Sequence, residues 1–203
     1  MCIKICFIIR FFLFFLFRKP FIFNLLGGEM TAFEKQKIIE VVLYILNKTG
    51  GIDYYHLFKI LYFANQRSLV EWGQLMTVDK FCALPHGPVP TALYNAIRGE
   101  RSILSGMKND VDVVEYYLLP KRESDTDYLS QYDMDVLDNC ISKYGKMRFT
   151  ELEKTSHTSC WEKARERKGS HVIAPGDIAR DGGASEELVK YINEALIYNL
   201  TLT

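Results

Sequence analysis

From Thr31 onward, apolar residues recur at helical spacing between polar caps and glycine stops. Ile38, Val42, Ile45 and Leu46 form one stripe, and Val41, Leu43 and Tyr44 widen it. This predicts a first helix to about Lys48 that is buried on most sides. Thr31 and Glu34 make a T-x-x-E capping box at its start, and Gly50 is its expected stop. Asp53 then caps a second helix, with Ile52 placed to staple onto Leu57. Leu57, Leu61 and Ala64 share a face, Phe58 and Tyr62 share its neighbour, and Gly73 ends the run.

Leu75 to Leu84 alternates weakly and reads as a short strand. His86-Gly87-Pro88-Val89-Pro90 reads as a turn, since its two prolines remove two backbone donors and exclude mid-helix or mid-sheet placement. Pro90 suits the first turn of a helix carrying Leu93, Ala96 and Ile97. The β-branched and aromatic run Asp112 to Leu119 reads as a second strand, expected to pair antiparallel with Val78 to Ala83 and to lie on helices. Ser130 caps a helix to about Lys143. Thr150 with Glu153, and Ser159 with Glu162, frame two further capping boxes. Pro175 to Gly183 reads as loop-rich, and Ser185 caps a last helix with Leu188, Ile192 and Leu196 on one side. The expected fold class is mainly α with a small antiparallel β element, an α+β arrangement in one compact domain.

With 203 residues, the chain can bury a sizeable core without disulfides or metal. Five cysteines with no CxxC pair argue for a reducing compartment, so a cytoplasmic location is expected. The net charge is zero, but residues 1–29 hold four basic residues and one acid, which leaves −3 for the remainder. A protein that grips phosphates needs a basic surface, so nucleic acid is not expected as the main partner.

The apolar, aromatic stretch 1–29 has three readings. Arg10, Arg18, Lys19 and Pro20 cut it into pieces too short to span a bilayer. Phe11 to Phe17 supplies the core of a signal peptide, but no small-residue cleavage site follows. The favoured reading is an over-extended start. Gly27-Gly28-Glu29 implies a purine-rich codon run just before Met30, and the first helix is capped one residue after that Met. The expected domain is then 30–203, with no membrane contact if translation starts at Met30; the alternative is a membrane anchor.

Candidate chemistry is sparse. Cys82 with His86, and His157 with Cys160, give a C-x3-H and H-x2-C set that only loosely resembles a zinc site. Cys160 at a helix start near His157 is a candidate low-pKa thiol. These two support an alternative reading as a small His/Cys-dependent enzyme using zinc or a thiol. No P-loop, dinucleotide-binding, HExxH or GxSxG motif occurs. The aromatic residues Tyr54, Tyr55, Phe58, Tyr62 and Phe63 lack basic interleaving and read as core rather than as a base-stacking platform.

Three blocks together are more specific. They are LFKILYFANQRSL (Leu57 to Leu69), HGPVPTALY (His86 to Tyr94) and TSHTSCW (Thr155 to Trp161). Their order and spacing resemble the Panacea domain, the SocA-like family of bacterial and phage antitoxins, over about residues 34–175. The motif positions are Lys59, Tyr62, Phe63, Asn65, His86, Gly87, Pro88, Val89, Leu93, Tyr94, His157 and Trp161, in structural or partner-binding roles that the resemblance leaves open. Asn65-Gln66-Arg67 and His86 depart from the commoner family pattern, the latter standing where Tyr is frequent. The resemblance implies a compact, mainly helical protein that neutralises a toxin encoded beside it by direct binding, with no catalytic residue, metal or cofactor. One family branch delivers its toxin to a protease complex. His86, Asn65 and His157, polar positions inside apolar blocks, are the expected members of an internal hydrogen-bond network. Gly73–Leu75, Lys121–Tyr128 and Arg98–Arg101 are the expected exposed contact segments.

Overall fold

A computed structural model describes residues 30–201, and the expectation for residues 1–29 lies outside them. The first helix, α1 (Ala32–Thr49), starts where its capping box requires: Thr31 N donates to Glu34 at 2.7 Å, and Glu34 N to the Thr31 hydroxyl at 3.2 Å. It ends at Gly50 in the left-handed region. A two-residue strand, β1 (Ile52–Asp53), leads into α2 (Tyr54–Trp72), capped by Asp53 and ended by Gly73. This helix is the hub of the core: from Tyr55 to Asn65 all but His56 are buried. It packs against the hairpin that follows and against two later helices, α4 (Gln131–Tyr144) and α7 (Pro175–Asp181). Phe63 stacks on Tyr144 of α4 with centroids 4.1 Å apart.

The protein is mainly helical with small antiparallel sheets, but the expected strand pairing is not the observed one. β2 (Phe81–Leu84) pairs with β3 (Gly87–Pro90), so the proline-rich segment expected to be only a turn is itself a strand. Alternation explains how two prolines are tolerated. Residues 87, 89 and 91 aim their N–H groups at β2 (Thr91 N donates to Lys80 O at 2.9 Å), leaving Pro88 and Pro90 to face the unpaired side. The other edge of β2 is covered by residues 171–173, with Ala83 N donating to His171 O and Ile173 N to Phe81 O. A short helix, α3 (Thr91–Ile97), follows β3 with no cap of its own. Buried Asp79 supplies one, accepting from Ala92 N and Leu93 N at 2.9 Å each.

The run Asp112 to Leu119 is not one strand but a hairpin, β4 (Val111–Val114) and β5 (Tyr117–Pro120), turning at Glu115 with φ 56°. It lacks the Asn-Gly or Asp-Gly that would have announced the turn. β5 also pairs with β1, giving the order β1-β5-β4.

Beyond α4 the chain forms α5 (Phe149–Ser156), α6 (Ser159–Glu166), α7 and α8 (Glu186–Thr201). Two expected capping boxes are absent. Arg148 and Thr158 hold the cap positions of α5 and α6, and neither side chain caps. Asp181 caps α6 from a distance instead, accepting from Cys160 N and the Ser159 hydroxyl at 2.7 Å each. The stretch expected to be loop is helix α7, with Pro175 in its first turn. Ser185 caps α8 as expected, through Leu188 N.

An ion pair between a buried carboxylate and a half-buried guanidinium joins distant parts of the chain. Glu40, in the middle of α1, receives both Arg122 terminal nitrogens at 2.9 and 2.6 Å, Asp125 N at 2.7 Å and the Gln36 amide at 2.6 Å. Burial alone would raise the Glu40 pKa, but these donors outweigh it and hold it below the usual range. Arg122→Met should therefore lower the unfolding free energy by about 3 kcal/mol near neutral pH, the low end for breaking a buried pair. The Glu40 contribution is present above its unfolded pKa near 4.5 and is lost as pH falls through the lower folded value. Urea unfolding near neutral and near acid pH should show the deficit shrinking in acid.

Candidate functional site

Lys59 lies in the middle of α2 among apolar neighbours and is fully buried. Its ammonium nitrogen donates to Pro88 O at 2.9 Å and lies 4.7 Å from the centroid of the Tyr55 ring. Gly87 makes this reach possible. Its φ is +103°, and a Cβ built there would fall 2.6 Å from the Ser156 hydroxyl oxygen and 2.8 Å from Lys59 Nζ. Glycine is thus needed both for the backbone and for the space. The second sequence block closes on the first, and Ser156 brings in the third.

Around this point the motif side chains form a layered cluster. The Ser156 hydroxyl donates to Glu153 O at 3.0 Å. The Glu153 carboxylate meets His86 Nδ1 at 2.6 Å, and the His86 ring lies edge-on to Phe149. His157 stacks on Trp161 with centroids 3.7 Å apart and planes 7° apart. The Trp161 indole donates to Leu84 O at 2.9 Å, tying α6 to the β2–β3 turn. The Nε2 of His157 is buried without a hydrogen-bond partner among the described residues.

Burial pulls Lys59 from an ordinary 10.5 to about 7, with the Glu153 charge drawing it partly back. Burial likewise lowers His157, which also faces the charges of Lys59, His86 and Arg165, with Glu153 acting the other way.

Of the expected network, only part converges. His86 and His157 belong to this cluster, whereas Asn65 works elsewhere. Its amide donates to Leu61 O and the Thr77 hydroxyl and accepts from Thr77 N, pinning the loop after α2. Tyr62, Phe63, Pro88, Val89 and Leu93 are buried core, so they are closed to any partner. Tyr94, half-buried, packs on Phe58 and accepts from Arg98 at 3.1 Å. Lys59 as the hub was the signal sequence reasoning underused: a single cation in the otherwise apolar run LFKILYFA.

The described residues lend no support to the metal and thiol alternatives. Among the described residues no three His, Cys, Asp or Glu side chains gather to hold a metal ion. Cys82, Cys140 and Cys160 are free and buried. Burial pushes Cys160 up to about 11 rather than the helix start pulling it down, and its sulfur sits 3.3 Å from the Tyr62 hydroxyl and 3.4 Å from the Thr158 hydroxyl. A buried, protonated thiol is inert.

The convergence of the three blocks on Lys59 is the structural counterpart of a family match. The sequence model of the family described as "Antitoxin SocA-like, Panacea domain" matches residues 57–162, just over half of the chain. The chain belongs to this antitoxin family. The matched span begins inside α2 and ends inside α6, so it holds Lys59, His86, Gly87, Pro88, Phe149, Glu153, Ser156, His157 and Trp161, while Tyr55 lies just before it. Comparison with curated proteins and with solved structures finds no match. Among the described residues no helix is long and apolar enough to cross a membrane.

Two variants probe how the Panacea-domain cluster is held. Gly87→Ala combines a positive φ with a clash against Lys59 and Ser156, and should destabilise the protein by about 3 kcal/mol or more in urea titration. Lys59→Met addresses the buried amine. Between about 7 and 10.5 the unfolded chain carries a proton on Lys59 that the folded chain lacks, so stability rises with pH across that window. Below about 7 both states are protonated and the burden of the buried charge is complete. The wild type should gain up to about 1.4 kcal/mol per pH unit there relative to Lys59→Met. Parallel slopes for the two proteins would contradict the assignment.

Proposed function

We propose that this chain is an antitoxin that neutralises, by direct protein–protein binding, a toxin encoded beside it. The observation that carries the reading is the family match over residues 57–162. Half of its motif positions are spent on the Lys59 cluster and most of the others on the apolar core, and Lys59, Ser156 and Cys160 are all buried. The net charge of −3 beyond residue 29 suits a protein partner better than nucleic acid. Delivery of the toxin to a protease is the second stage of the same proposal, and it requires only that the complex be recognised.

Neutralisation at cellular concentrations needs about nanomolar affinity, roughly −12 kcal/mol, and an interface of about 800 Å² per partner. Co-expression tests the reading. The product of the adjacent reading frame should arrest growth alone, and residues 30–203 should restore growth and co-purify with it. Rescue without a physical complex would reject direct binding. A toxin half-life unchanged by co-expression would reject the protease stage while leaving binding intact.

A further inference from the structure

At the C-terminal end of α2 the surface is aromatic. Trp72 is 65% exposed, its ring edge-on to Tyr132 at 5.6 Å. Phe33, 59% exposed at the start of α1, packs 5.2 Å from Tyr128. Tyr191 of α8, 54% exposed, borders the same end, where a Cβ built on Gly73 would lie 3.3 Å from its ring. The Trp72, Tyr128 and Tyr132 rings line a cleft of about 560 Å³ together with Leu75, Met76 and Asp127. Two of the three segments expected to be exposed contacts, the loop after Gly73 and the acidic loop to Tyr128, thus meet in one place, although Gly73 itself is buried. Arg98–Arg101 does not line the cleft. Exposed aromatic rings beside a concavity are the composition of an interface anchor rather than of ordinary surface.

The charge around the cleft is one-sided. From Glu123 to Ser142 the sequence holds six acids and no Lys or Arg. Asp133 is engaged by Lys37 at 3.0 Å and Asp138 by Lys48 at 3.1 Å. Glu123, Asp125, Asp127 and Asp135 form no ion pair among the described residues. Among the residues lining the cleft, Lys37 is the only cation, and Asp133 already holds it. Nearby Arg67 is held by Glu71, which also accepts from the Tyr132 hydroxyl. The cleft therefore offers ring faces and one carboxylate outside any ion pair, that of Asp127, but no free cation.

We propose that this cleft docks a cationic amphipathic segment of the partner protein, with its Lys or Arg side chains set against Asp127 and the Trp72 and Tyr132 rings. A long cationic side chain suits both parts, because its stem covers a ring while its head meets a carboxylate. The proposal deepens the antitoxin reading, on which it rests for the identity of the partner. The manner of docking rests on the cleft alone.

The test uses the full chain and two labelled probes, a four-turn amphipathic Leu/Lys peptide and its Leu/Glu counterpart, followed by fluorescence anisotropy. The Lys peptide should bind, more weakly as salt is added, and the Glu peptide at least about tenfold more weakly. Asp127→Lys and Trp72→Ala should each weaken the Lys peptide at least about tenfold while circular dichroism and melting temperature stay near wild type. Asp127→Asn, which keeps the shape and removes the charge, should give a smaller loss in the same direction. Equal binding of the two peptides, or wild-type binding by these variants, would overturn the proposal. So would a dimer of this chain in sedimentation that Trp72→Ala dissociates, since a second copy would then be the occupant. Growth rescue separates the two readings. Peptide binding as stated without rescue by the wild type would sink the antitoxin and leave the cleft standing. Rescue by the wild type and equally by Trp72→Ala and Asp127→Lys would sink the cleft and leave the antitoxin.

Discussion

A lysine amine held in the dry interior by one backbone carbonyl is the constraint on which the rest of the fold depends. The bond from Lys59 to Pro88 O fixes the β2–β3 hairpin against α2. It demands a glycine at position 87 and leaves just enough room for the Ser156 hydroxyl. Beside it, His86 of the β2–β3 turn meets the Glu153 carboxylate and ties the hairpin to α5. An apolar residue at position 59 would fill the same space, but Pro88 O would then be buried without a donor. Polar burial here selects one arrangement of three chain segments, which apolar packing alone would leave freer to slide.

The same logic recurs where helices are short. Neither α3 nor α6 carries its own side-chain cap. Asp79 and Asp181, each distant in sequence or outside the helix, accept from their first backbone N–H groups. Burial raises Asp79 to about 6, opposed by the N–H groups of Ala92, Leu93 and Lys80. Remote carboxylates do for these helices what a local Ser or Thr would do elsewhere, and in addition they weld each helix to a neighbouring segment.

The legible features were those whose cause is local. Thr31 with Glu34, Gly50, Asp53, Gly73, Ser130 and Ser185 marked helix ends correctly because cap and helix are adjacent in the chain. The helical α+β class followed from periodicity in the same way. Failures came where partners are distant. Thr150 and Ser159 matched the capping-box pattern, yet Glu153 was drawn to His86 and the α6 start to Asp181. GPVP was denied strand status because the side on which a proline's missing donor falls depends on register, which no local pattern records. Cys160 was expected to be acidified by its helix, but burial dominated. At the candidate site the blocks were visible in sequence, while their meeting at Lys59 was not, and the aromatic cleft joins residues from α1, α2 and α4 that no motif connects.

The Glu40–Arg122 pair has a consequence for how the chain is made. Its partners are 82 residues apart, so at about 5–20 residues per second a ribosome leaves Glu40 without its guanidinium for roughly 4–16 s. During that interval the apolar flanks of α1 have neither β5 nor α4 to pack against. The nascent protein therefore passes through a stage in which its first helix exposes apolar surface and carries a carboxylate without its guanidinium.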